Sequence, residues 1–155
     1  MNALSVTHSL KARRPWILLL TGIWAGLVLG ISFVEAPLKF QAPGITLELG
    51  LGIGRIVFGA LNKMELVLWV ILAGLAIPLF RRNWPKRGGA VAFLLLTAIL
   101  AFQTFFLLPT LDARAVRILD GEDVPSSWHH TVAIILEVLK LPVLLGLFFT
   151  VFREE

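Results

Sequence analysis

Glu65, Glu137 and Lys140 are ionisable residues set inside long apolar runs, and Asn62, Lys63, Gln103, Thr104, His129 and His130 fall close to them in the same pattern. Charge within a membrane costs a few kcal/mol per group, so such residues should face one another or a water-filled cavity. His130 and Glu137 lie seven residues apart, and Glu137 and Lys140 three, which puts all three on one face of a helix. By helical rise, Glu137 sits about 10 Å and Lys140 about 15 Å inside that helix. Three kinds of chemistry suit this set: hydrogen bonds and ion pairs between helices, binding of a small ligand, and a proton relay.

The elements that must position these residues are four apolar blocks at 15–34, 56–80, 89–108 and 131–152. Each is close to the roughly 20 residues that an α-helix needs to cross about 30 Å of hydrocarbon. Composition agrees, with 57% hydrophobic and 15% charged residues over 155 positions and a mean hydropathy of +0.86. The expected architecture is all-α: one integral membrane domain, an antiparallel four-helix bundle with helices at about 15–35, 54–80, 88–108 and 128–152. Pro37 and Pro43 are expected to break the chain after the first helix, and Pro109 to end the third. Residues 111–119 have apolar positions at helical spacing and read as a short interfacial helix. Asp120-Gly121 then turns the chain, and Ser126 or Ser127 is a good N-cap for the last helix.

Charge placement gives a topology. Lys11, Arg13 and Arg14 precede the first block, Arg81, Arg82, Lys86 and Arg87 fill the link between the second and third, and Arg153 follows the fourth. The other two connections mix signs, so the positive-inside rule puts both termini and the 81–87 link in the cytoplasm. The localisation expected is multi-pass membrane, the cytoplasmic membrane if the source is bacterial. Trp84 suits an interfacial anchor. This placement uses up the basic residues behind a pI of about 10.1, so the lipid bilayer is the expected partner and nucleic acid is not. The first block is too long for a signal-peptide core and has no A-x-A site after it, so it reads as an uncleaved helix.

Gly22, Gly26 and Gly30 recur every four residues and form a smooth stripe. Such a stripe lets another backbone approach, either within the bundle or across a homodimer seam. The glycines at 50, 52 and 54 lack the phosphate-loop pattern and read as close packing at the entry to the second helix. There is no cysteine, which excludes disulfides, thiolate metal sites and thiol catalysis. No G-x-S-x-G elbow or H-E-x-x-H motif is present, so no catalytic residue, metal site or cofactor is assigned. Adjacent His129 and His130 point about 100° apart on a helix and do not easily share one ion.

Ala36-Pro37 with Phe40, then Gly54-Arg55-Ile56-Val57-Phe58, and a histidine followed seven residues later by polar Glu137 form a set of short motifs. On these the chain resembles the transmembrane protein 205-like family of small four-helix membrane proteins, a domain of unknown function. That family tends to have asparagine where this chain has Glu137. The resemblance implies a fold and a membrane location, and supplies no reaction.

The leading functional reading is a structural bundle, alone or in a larger membrane complex, held by an outer-half polar cluster. The alternative is an outward-facing pocket for a small ligand, metal ion or lipid or quinone headgroup. There His130, Glu137 and Glu65 would bind, Gln103 and Asn62 would orient, and Lys140 would neutralise the floor. A third reading, proton or ion transport, finds no continuation of the ladder through the apolar inner half.

Overall fold

The computed structural model describes residues 12–80, 87–125 and 127–153. Expectations for His8, Lys11, Arg81, Arg82, Trp84, Lys86 and Ser126 lie outside the described residues. The described chain is all-helical, with four helices long and apolar enough to cross a membrane. At most 33% of any span's most apolar window is buried inside the protein. Large apolar side chains such as Trp16, Ile56, Leu94 and Phe105 therefore face outward, the reverse of a water-soluble bundle's exterior.

Helix α1 (Arg14–Val28) starts with Pro15 in its first turn, where a missing N–H costs nothing. It continues through a π-helical stretch (Leu29–Glu35), one α-turn (Ala36–Leu38) and a 3-10 turn (Lys39–Gln41). Helix α2 spans Leu47–Phe80. Helix α3 (Arg87–Phe102) passes through a second π-helical stretch (Gln103–Leu107) into α4 (Leu108–Leu119), and α5 spans His129–Phe152. In order, α1, α2, α3 and α5 pack as a closed antiparallel ring. One end carries Arg14, Phe80, Arg87 and Arg153, and is called here the basic end; the 42–46 and 120–128 connections form the loop end.

The apolar core fills the half toward the basic end, where Ile17, Leu72, Phe93, Leu96, Leu144 and Leu147 interlock. Buried positions recur at helical spacing: 17, 21, 24 and 28 on α1, then 137, 140, 144, 147 and 151 on α5. Trp69 Nε1 donates to Thr97 Oγ1 at 2.9 Å and ties α2 to α3. Arg13 donates to the Gly74 carbonyl at 3.3 Å near the basic end.

Several boundaries differ from the sequence expectation, each for a local reason. Pro37 and Pro109 do not end their helices. A proline lacks its N–H and its ring crowds the carbonyl four residues back, and here a π-helical stretch precedes each one. The Ala36 N–H donates to the Ile31 carbonyl and the Leu108 N–H to the Gln103 carbonyl, both five residues back. This wider turn accommodates the ring, so the first helix runs to Gln41 and the third reaches Leu119 without a break. The helix expected at 111–119 is therefore the outer part of that rod.

Helix α2 starts at Leu47 rather than near 54, because Thr46 Oγ1 accepts the Leu49 N–H at 3.3 Å and caps it. A Cβ on Gly50 would run into the Phe40 ring, and one on Gly54 would sit 3.1 Å from Lys39 Nζ. The glycines at 50 and 54 thus serve close packing, as expected, but inside the helix instead of before it. Lys39 is held there by Glu35 at 3.6 Å and by the Phe40 and Phe58 rings at 5.7 and 5.5 Å. Gly121 has a φ of 82° and forms the expected turn.

The glycine stripe corrects another expectation. Gly22, Gly26 and Gly30 are exposed, and a Cβ on any of them would meet nothing within 4 Å. They do not pack another helix of the same bundle, because the buried face of α1 is the one carrying Ile17, Thr21, Trp24 and Val28.

Candidate functional site: a buried acid–base cluster

Where the apolar core stops, midway along the bundle, polar side chains from all four helices meet. Lys140 on α5 is fully buried, and its Nζ lies 2.5 Å from Glu65 Oε1 on α2 and 2.9 Å from Glu137 Oε1 one turn earlier on α5. Trp24 Nε1 on α1 donates to the same Glu65 oxygen at 2.8 Å. Gln103 Nε2 donates to Glu137 Oε1 at 2.9 Å, and Ser32 Oγ donates to Glu137 Oε2 at 3.2 Å. Each hydrogen bond to a charged partner is among the stronger kind.

The π-helical stretches position two of these donors. Ser32 lies in the first and Gln103 opens the second, so both proline-linked irregularities present a polar group to Glu137. Such π-bulges are frequent at functional sites, and here their visible work is to aim side chains inward. Next to them, Asn62 Nδ2 donates to Thr104 Oγ1 at 2.9 Å and joins α2 to the second stretch.

Two carboxylates share one ammonium, so the fully ionised cluster carries a formal charge of −1. The ammonium, with its two carboxylate contacts, and the five other polar partners form one network, in which the buried Gln103 Oε1 accepts no hydrogen bond from the described residues. Glu65, Gln103, Asn62, Glu137 and Lys140 are 0–7% exposed. The grooves found on the surface are lined by other residues, although one includes Lys63. The arrangement can therefore hold four helices in one register, with its polar atoms turned toward one another.

Of the residues expected to form a site, Glu65, Gln103, Glu137 and Lys140 converge and Asn62 lies beside them. His130 does not join. It is exposed in the first turn of α5, about 10 Å along the helix from Glu137. His129 makes a local contact instead: its Nδ1 lies 2.7 Å from Ser127 Oγ, and its ring stacks on Trp128 at 4.3 Å. The Ser127 hydroxyl also accepts the His129 N–H at 3.3 Å, which gives Ser127 part of the expected capping role.

Sequence reasoning missed Trp24 and Ser32. A signal for Trp24 was present: an indole in the middle of a span, away from the interface where tryptophan is common, needs an acceptor for its N–H. Ser32 continues the 17, 21, 24, 28 spacing by one step. Among the described residues, no group of three metal-ligating side chains comes together. Compared with protein-family models, characterised proteins and solved structures, the chain matches none.

Proposed function

We propose that this chain is an integral membrane bundle with a structural role, alone or as part of a larger membrane complex, and that its buried acid–base cluster locks the four helices together. The observation that carries this reading is the Glu65–Lys140–Glu137 triad, buried and bonded to partners on every helix of the ring. A ligand pocket in the same place would need polar groups facing an opening, and these face one another. The resemblance to transmembrane protein 205-like proteins bears on the membrane location alone. Both termini and the 81–87 link are assigned to the cytoplasmic side because, in the sequence, Lys11, Arg13, Arg14, Arg81, Arg82, Lys86, Arg87 and Arg153 flank the apolar blocks there. The outward glycine stripe of α1 is the face offered to a second copy or a complex partner.

The natural absence of cysteine makes the test direct. Gln103→Cys and Asp123→Cys variants are treated in intact cells or spheroplasts with a membrane-impermeant maleimide. Labelling at 123 with silence at 103 is the expected result. Labelling at 103 in folded protein would reveal a water-filled pocket and would replace the structural reading with ligand binding.

A further inference from the structure

Lys63 is exposed near the middle of α2, two residues before Glu65, and has no hydrogen-bond or ion-pair partner among the described residues. It is level with Thr104, since its neighbour Asn62 bonds that residue. An ammonium at this depth is costly unless its long chain carries it toward the interface or an anion meets it. Toward the loop end, a groove of about 690 Å³ opens beside it between α2 and α4. Its lining includes apolar Ile56, Gly59 and Leu119 and the charged Arg55 and Asp112. Arg55 and Asp112 are bonded to each other, so their charges cancel and Lys63 leaves the groove with a surplus of one positive charge.

Toward the basic end the same face turns wholly apolar. Ile56, Lys63 and Val70 recur every seven residues, so they share one side of the helix. About one turn past Lys63, a second groove of about 250 Å³ is lined only by Leu66, Val67, Val70 and Ile71. A cationic groove that runs from Lys63 toward the loop end, followed along the same helix by an apolar groove, has the polarity of a phospholipid, with headgroup first and acyl chain after.

We infer that this face of α2 binds an anionic glycerophospholipid, its phosphate at Lys63 and the mouth of the α2–α4 groove, and an acyl chain along Val67 and Val70. The inference rests on the membrane reading above. Charge complementarity selects an anionic over a zwitterionic headgroup, since a net negative ligand offsets the surplus of one. Gly59 leaves room for the lipid because its missing Cβ opens onto free space.

The test uses the full chain extracted from the membrane fraction into a non-ionic detergent. Equal amounts of phosphatidylglycerol and phosphatidylcholine are added, and retained lipids are counted by native mass spectrometry. The wild type is expected to retain phosphatidylglycerol with a preference of about fivefold or more, the size expected of one basic residue at an anionic surface. Lys63→Gln removes the preference and Lys63→Arg keeps it. Gly59→Leu, which adds bulk to the groove lining, reduces retention of both lipids in a bundle that remains folded by circular dichroism. Equal retention by the wild type, or an undiminished preference in Lys63→Gln, overturns the inference. Displacement of phosphatidylglycerol by inorganic phosphate alone would also overturn it, by showing an anion site with no use for the chain. Absence of the protein from the membrane fraction is a different failure, and would overturn the membrane reading itself.

Discussion

Lys140 stands between two carboxylates, and its removal and theirs are not equivalent. Lys140→Met would leave Glu65 and Glu137 facing each other without a cation. Breaking a buried ion pair by deleting one partner typically costs about 3–5 kcal/mol. Glu137→Gln keeps a group able to bond Ser32 and Gln103, and it brings the formal charge of the cluster from −1 to zero. Its expected effect is within about 1 kcal/mol. Unfolding of both variants in mixed micelles, followed by circular dichroism, checks the order. A Glu137→Gln variant as unstable as Lys140→Met would mean that both acids are needed to balance the ammonium. The residue types and the spacing of Glu137 and Lys140 were legible in the sequence. Their pairing with Glu65 was not, since a contact across 75 positions has no periodic trace. His130 shows the converse: its heptad spacing from Glu137 was legible, but its side chain is exposed and does not join the cluster.

At the scale of elements, glycine carries two opposite meanings in this chain, and substitution separates them. Gly50→Ala places a methyl group against the Phe40 ring. Because Phe40 is half exposed and its ring can swing, the cost should be modest, about 1 kcal/mol. Gly26→Ala meets open space, and alanine is the better helix former by about 1 kcal/mol in water. The bundle should therefore lose stability with the first change and lose none with the second, in the same micelle unfolding measurement. If the α1 stripe seats a second copy, Gly26→Leu should also lower the yield of cross-linked dimer in native membranes, with no loss of monomer stability. The helix boundaries teach a related lesson. Proline is a strong stop signal in sequence, yet Pro37 and Pro109 are each absorbed by a π-helical stretch, and those stretches are what turn Ser32 and Gln103 toward Glu137. The Thr46 cap was readable from residue type; the three glycines at 50, 52 and 54 soon after it masked the start of α2.

For the whole molecule, the decisive feature is an exterior as apolar as its interior. The topology proposed from the basic end makes a direct prediction. Reporter fusions after Arg153 and within the 81–87 link should behave as cytoplasmic, and a reporter inserted at 121–124 as external. Replacing the basic residues of the link with glutamine should weaken that preference, because lysine and arginine counts in short loops set orientation.

What the sequence determined by itself is the fold class and number of spans, since block length and hydropathy depend only on local composition and the fixed rise of a helix. It also marked which polar residues lay inside the spans. Only the tertiary structure decided what those residues do. A buried ion pair and an open pocket use the same residue types at the same spacings, and they differ in whether neighbouring helices close over them. Here α1 supplies Trp24 and Ser32 and completes that closure. The direction of the glycine stripe was decided in the same way, by which side of α1 faced its neighbours, a choice made by packing between helices distant in the chain.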